Sequence, residues 1–414
     1  MLENYFEAAA TLTRLRSGPP GPFIDGFAAS LHEAGYRRWT ARGYLRAAAH
    51  LGVWMQRKRV IIRALDEGSL RDFANHLPRC KCLRRNSGVY CDAVAGNRLF
   101  LGFLRDQGIL PQPPRTVEVT VPEVVAQFEQ WMRHHRGVTA STLVTYRLIL
   151  VELHEAVGGP EAFHASSLRA FVSARASRHG RSRAKTVVAA VRMFVRYAAA
   201  HGLCSPELVE ALPTIAEWKL ATLPAYLSRE DVERLIDAPD PRTCTGQRDR
   251  AILLLLARLG LRAGDIIGLR LSDLDWGAGT LLVAGKSRRP ARLPLPQDAG
   301  DALLLYLAQG RPDVLDDHVF LRVHAPIGRL QRPLAVSDIV NRTAARAGVQ
   351  MPRGGAHVLR HSMATALVRD GVPLTAVRAV LRHQSEQMTA HYAKVDVSAL
   401  HKIAHPWPME VWPC

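Results

Sequence analysis

At 414 residues the chain is too long for one ordinary domain, so roughly two to three domains are expected, each able to bury a core. Its 55 Lys+Arg against 37 Asp+Glu leave a net charge of +18, which points to a polyanion, nucleic acid first, although a merely basic soluble protein has the same balance. The most apolar run, Ala251 to Leu261, is broken by Arg258 and falls short of the ~20 residues a bilayer span needs, and six cysteines are too few for a disulfide scaffold.

The N-terminus carries Glu3 and Glu7 and lacks the basic, apolar and small-residue order of a secretory signal, so a cytoplasmic location is expected. The pattern of the first third then recurs in the second. "TARGYLRAAAHLGVWM" (Thr40 to Met55) parallels "STLVTYRLILVELHEAV" (Ser141 to Val157), and "GSLRDFANHL" from Gly68 answers "SSLRAFVSAR" from Ser166. "RLFLGFLRDQGIL" (Arg98 to Leu110) matches "RMFVRYAAAHGLC" (Arg192 to Cys204), each an amphipathic helix ended by a Gly suited to a left-handed cap. Two similar all-helical units are expected, over residues 1–114 and 115–210. They are joined by "PQPPRTVEVTVP", whose prolines cannot continue a helix. Before its last helix the first unit carries Cys80, Cys82 and Cys91 with His76 upstream, either a tetrahedral zinc set or reduced thiols in a loop.

Residues 222–414 form a third, α+β region. Ser228 with Asp231 and Glu233 marks a helix start, because a Ser oxygen and early acids satisfy the exposed N–H groups. A helix from Arg248 to Leu259, a turn and a second helix lead to two β-like runs, Thr280–Lys286 and Ala291–Pro296, which predict a small antiparallel sheet. Helices are then predicted over Ala302–Gln309, Ala335–Ala347, His357–Arg369, Leu374–Arg382 and Glu386–Lys394.

Several polar groups in this region suit phosphate chemistry. Arg262 follows Gly260-Leu261 at a helix boundary, with Asp265 three residues on to hold its guanidinium; the bland alternative is a surface ion pair. Lys286 falls in the turn between the two strands, where it reaches a nucleic acid or is simply a solvated basic tip. His357 and Arg360 share a helical face behind Gly354-Gly355, and pair a proton-transfer group with a fixed charge. The same stretch also reads as a helix-turn-helix, with Leu359, Met363 and Leu367 as its stripe and "RDGVP" as its turn. His383 and Tyr392 are nine residues apart, which on one helix puts them on opposite sides, so a break is expected between them, with Ser385 capping a new helix. A phenol is a poor nucleophile near neutral pH and needs cationic surroundings; otherwise Tyr392 is a surface tyrosine.

Taken together, Arg262, Lys286, His357, Arg360, His383 and Tyr392 resemble, in order and separation, the active-site set of the tyrosine site-specific recombinases, the phage integrase family. The resemblance extends upstream, where "GVTASTLVTYRLIL" and "VRMFVRYAAAHGL" are similar to the ends of the family's helical, SAM-like core-binding domain; it reaches the first unit only through the internal repeat. Two residues depart from the family pattern: Arg382 stands where a Gly is usual and Asp265 where a Glu is commoner. The resemblance implies double-stranded DNA as partner, held between two lobes, and a 3'-phosphotyrosyl intermediate formed by Tyr392 without metal, cofactor or external energy. Arg262 and Arg360 would bind the non-bridging oxygens, Lys286 would protonate the leaving 5'-oxygen, His357 would help remove the tyrosine proton and His383 would hydrogen-bond the phosphate. It also implies a tetramer on DNA, with related recombinases or accessory DNA-bending proteins as further partners. The tail, with Val397, Leu400, Ile403, Trp407 and Trp412, is then expected to dock on a neighbouring protomer. Alternatives are a type IB topoisomerase, with a similar residue set, and a non-catalytic DNA-binding assembly factor.

Overall fold

The computed structural model describes residues 1–80, 90–112, 121–178, 180–215, 223–284, 290–383 and 385–395. The chain divides into two compact units, Met1–Leu110 together with Lys219–Cys414, and Pro111–Trp218.

The N-terminal stretch of the first unit holds α1 (Ala9–Arg16), α2 (Gly21–Glu33), α3 (Arg38–Lys58), α4 (Glu67–His76) and α5 (Tyr90–Asp106). Asp66 caps α4 by accepting the Ser69 N–H at 2.7 Å, satisfying one of the donors a helix start leaves open. The apolar faces of α2, α3 and α5 close over a core that includes Phe27, Leu45, Leu51 and Phe100, and Phe27 meets Phe100 edge-on at 5.1 Å. The backbones of α3 and α5 approach closely because Gly96 lies against Tyr44, where an added Cβ would sit 2.9 Å from the Tyr44 Cα.

The second unit holds α6 (Glu123–Arg136), α7 (Ala140–Val157), α8 (Ala165–Ser177) and α9 (Arg181–Ala200) around Phe128, Leu150, Leu153 and Phe194. Apart from the extra 3-10 turn Leu77–Arg79 after α4, it repeats the run α2 to α5: two helices, a short 3-10 turn (Ile62–Ala64 in one, Pro160–Ala162 in the other), then two more helices. The predicted left-handed glycines follow the last helix of each, Gly108 at φ 69° and Gly202 at φ 70°.

The third region carries α10 (Arg229–Asp237), α11 (Cys244–Leu259), α12 (Ala263–Gly268), β1 (Leu274–Asp275), β2 (Thr280–Ala284), β3 (Pro290–Pro294), α13 (Gln297–Leu305), β4 (Leu321–Arg322), β5 (Gly328–Arg329), α14 (Pro333–Ala347), α15 (His357–Arg369), α16 (Leu374–Leu381) and α17 (Glu386–Ala390). Ser228 caps α10 as expected, its Oγ 3.0 Å from the Asp231 N–H. Helix α11 is buried on nearly every side, from Ala251 to Leu256 without a break, which explains why its sequence is apolar all round although it crosses no membrane. Among the described residues no helix is long and apolar enough to span a bilayer.

The predicted hairpin is present as β2 paired antiparallel with β3, Leu281 opposite Leu293, and β1 adds a third strand on the far edge. Two residues are too few to leave an alternation in the sequence, which is why β1 was not foreseen. Helix α13 starts at Gln297, five residues before the expected Ala302, because Pro296 and Asp298 already supply its first turn; it ends in a π-type turn, Tyr306–Gly310. The expected helix Glu386–Lys394 is α17 followed by a 3-10 turn, His391–Val395. Within the first unit, the backbone N–H of Ile327 donates to the Ala34 carbonyl at 3.1 Å, beside Gly35, whose φ of 76° and contact with Ile327 leave no room for a Cβ.

Candidate active site

Helix α11 ends at Gly260, which takes φ 57° and turns the chain into Arg262, the N-cap of α12. A Cβ at Gly260 would lie 2.8 Å from Met363 Sδ and 3.2 Å from Leu381 Cδ2, so α11, α15 and α16 converge here only because there is none. The buried Arg360 guanidinium, from the first turn of α15, donates to the carbonyls of Gly260 and Leu381 and so ties the three helices together. It is 4% exposed. Desolvation, then repulsion from Arg262 and Arg382, lowers its pKa to about 10, which still leaves it charged at neutral pH.

The two departures from the family pattern meet each other. Arg382 occupies the C-cap of α16 at φ 52°, a left-handed position where a Gly is the residue of least strain. Its guanidinium turns inward and donates to Asp265 Oδ2 at 2.6 Å, with side-chain exposures of 11% and 6%. Asp265 also accepts the backbone N–H of Arg262 at 2.9 Å. The expected hold on the Arg262 guanidinium is therefore replaced by one on its backbone, because the shorter carboxylate is committed to Arg382; among the described residues the Arg262 guanidinium reaches only the Arg382 carbonyl, at 3.5 Å. Three guanidiniums against one carboxylate leave this cluster at a net +2, and the buried Arg382 Nε and Nη1 have no partner among the described residues. Each such unmet donor costs about 1–3 kcal/mol.

Beside this cluster, His383 hydrogen-bonds the buried Thr389 through Nδ1 at 2.8 Å and lies nearly parallel to the Tyr392 ring, 6.4 Å away. The predicted break falls between them: Arg382 ends α16, and Ser385 stands at the N-cap of α17, though its side chain makes no capping bond. Tyr392, in the 3-10 turn, is 2% exposed and packs with Ala364, Val368, Val377 and Leu381 in a small core of its own. Its hydroxyl lies 2.7 Å from His361 Nδ1. Burial pushes the phenol up to about 12, outweighing the opposite pull of Arg360, so the cationic surroundings do not by themselves produce a phenolate here. Burial, joined by His357 and His391 at His361 and by Arg360 and Arg262 at His383, brings both imidazoles down to about 4. Both are neutral at pH 7, and a neutral His361 that carries its proton on Nε2 can accept the Tyr392 O–H at Nδ1.

Arg262, His357, Arg360, His361, His383 and Tyr392 all line one cavity of about 590 Å³, with Gly354 and Met388 at its wall. Of the six, His357 is the exposed one, at the start of α15. Of the expected site residues, the structure thus brings five together; Lys286 lies outside the described residues, as do the tail from residue 396 and Cys82, and of Cys91 only its place in α5 is described. Sequence reasoning missed His361 and Thr389. The signal for His361 was present, since positions 357, 360 and 361 fall at i, i+3 and i+4 on one helical face; nothing in the sequence marks Thr389.

The phage integrase family model matches residues 225–398, the stretch that contains this cavity. The integrase/recombinase y4rA of Sinorhizobium fredii is 34% identical over 419 residues, covering 99% of this chain and 100% of that one. The chain belongs to the phage integrase family, the tyrosine recombinases. Its members break and rejoin DNA, and the relatives include the tyrosine recombinase XerD of Listeria monocytogenes, 28% identical over 69% of this chain and 99% of its own length. Among solved structures, the XerH site-specific recombinase in a post-cleavage complex matches with a TM-score of 0.54 and 20% identity, over 67% of this chain and 83% of XerH. A lambda integrase dimer bound to a core site matches with a TM-score of 0.52 and 16% identity, over 70% and 99%. At these identities the likeness speaks to the tyrosine recombinase fold, helical units followed by a catalytic region with a small sheet.

Proposed function

We propose that this tyrosine recombinase cleaves and rejoins double-stranded DNA at specific sites through a 3'-phosphotyrosyl intermediate on Tyr392. The observation that supports it most is the convergence of Arg262, Arg360, His383 and Tyr392 on one cavity. In the reaction the Tyr392 oxygen attacks phosphorus, its proton passes to His361, and the bond from phosphorus to the 5'-oxygen breaks. Lys286, in the connection between β2 and β3, gives that oxygen its proton. Arg262 and Arg360 bind the non-bridging oxygens, and His383 adds a bond from Nε2, its Nδ1 being held by Thr389. Loss of one donor of this kind typically slows such a step about 10²- to 10³-fold. The number of ester bonds is conserved, so the reverse attack by a 5'-hydroxyl rejoins the strand without added energy. The proton role that the resemblance gave to His357 falls to His361, the imidazole in contact with the phenol; His357, exposed at the cavity wall, contacts the DNA backbone.

Protomers assemble as tetramers on DNA, with the tail from Ser398 to Cys414 docked on a neighbour; removing it lowers multimeric complexes more than monomer binding. Residues 1–114 act as an additional DNA-binding or assembly module beside the core-binding unit. The central test is a denaturing gel of the protein with labelled DNA nicked beside the scissile phosphate. The native chain gives a covalent band and Tyr392→Phe gives none; a band that persists in the Phe variant refutes the assignment. Lys286→Ala regains cleavage when the 5'-bridging oxygen is replaced by sulfur, because a thiolate leaves without a proton.

A further inference from the structure

Outside the catalytic cavity, one cluster of metal-ligating side chains is built into the N-terminal helical core. His50 lies in the middle of α3, His76 is the last residue of α4, and Cys80 follows the 3-10 turn Leu77–Arg79 that continues α4. Their ligand atoms all lie within 4.8 Å of one another, and His50 Nε2 is 3.1 Å from Cys80 Sγ. In a tetrahedral zinc site, bond lengths of about 2.0–2.1 Å to nitrogen and 2.3 Å to sulfur put neighbouring donors roughly 3.3–3.6 Å apart, so small side-chain rotations close these three on one ion.

We propose that His50, His76 and Cys80 bind one zinc ion, which staples the end of α4 to the centre of α3. The donor chemistry selects the metal: two imidazoles and a thiolate suit zinc, whereas magnesium and calcium take oxygen ligands, and no carboxylate joins this cluster among the described residues. The surroundings fit as well. His50 is 8% exposed and its ring is held edge-on by Phe73 at 5.1 Å, so its orientation is fixed before any ion arrives. The site differs from the set that spacing alone suggests, since His50 comes from a helix 26 residues upstream of His76. The fourth position of the tetrahedron remains for a further donor.

Zinc bound here would make folding of the N-terminal core depend on metal, independently of the chemistry at Tyr392. The test uses the full chain, made without a histidine tag and purified in reducing buffer. Plasma emission spectrometry is expected to find equimolar zinc, and a chelator should remove it and lower the melting temperature, with zinc restoring both. Cobalt put in its place should give a thiolate charge-transfer band in the near ultraviolet that Cys80→Ser abolishes. His50→Ala and His76→Asn should each weaken zinc binding by more than the roughly 10- to 100-fold that losing an outer-sphere partner brings. The chelation experiment needs no variant and so stands even where a substitution impairs folding. Substoichiometric metal after zinc-supplemented expression, copper or iron in place of zinc, or full zinc retention by Cys80→Ser refutes the proposal.

Discussion

Replacing Asp265 by Asn tests the cationic cluster directly, because it removes one charge and almost no volume. The Asn Oδ1 still accepts the Arg262 N–H that Asp265 accepts at 2.9 Å, so the start of α12 is kept. What disappears is the ion pair with Arg382, whose side chain is 11% exposed and already has two unmet donors. For charge centres about 4 Å apart, an effective dielectric constant of 20 gives an attraction of about 4 kcal/mol. Breaking a buried pair by removing one partner typically costs 3–5 kcal/mol, since the other charge is left uncompensated. The catalytic region should therefore melt roughly 8–16 °C lower. The net charge of the cluster rises from +2 to +3, so the variant should also gain more from sulfate than the native chain does, because a bound anion now relieves a larger repulsion. Scanning calorimetry of the full chain in sulfate and in chloride at matched ionic strength measures both effects, and the transition of the separate unit Pro111–Trp218 serves as an internal reference. An Asn variant that melts with the native chain, or one that responds equally to the two salts, refutes the reading of Arg262, Arg360 and Arg382 as one cationic cluster balanced by Asp265.

His361→Gln should slow formation of the covalent complex by about 10²- to 10⁴-fold, the usual range for loss of a general base, with DNA affinity unchanged in a gel-shift assay. Gly260→Ala should destabilise the chain by about 1–3 kcal/mol in thermal or denaturant unfolding, since the left-handed φ of 57° and the contact with Met363 both resist a Cβ. It should also slow cleavage, because the Gly260 carbonyl positions Arg360. The pH dependence follows from His361 and His383, both held at about 4 in the folded chain against an ordinary value near 6.5. The unfolded chain takes up these protons first, so their contribution is fully present above pH 6.5 and is lost as pH falls from there through 4. Melting temperature measured across that window should drop with acidity, and less steeply in His361→Gln; an equal slope would show that His361 is not held neutral by burial.

The sequence determined the classes of element and marked five residues, Arg262, His357, Arg360, His383 and Tyr392, that line one cavity. The repeated helical pattern, the Gly after each unit's last helix, the Ser228 cap and the spacing from Arg262 to Tyr392 are local signals, set by helical period, capping chemistry and residue type, and each is readable from its own neighbourhood. What those signals cannot carry is which distant groups share a desolvated space. Arg382 and Asp265 are 117 residues apart and each is a departure from the family pattern on its own terms; only the folding of α16 against α12 makes them partners. His361 carried a helical-face signal, but its contact with Tyr392 depends on the 3-10 turn packing under α15, and the burial that raises the phenol instead of ionising it is a property of that packing. His50 joins His76 and Cys80 for the same reason: proximity in three dimensions is decided by which apolar faces are buried together, and α3 and α4 bury theirs around Phe73.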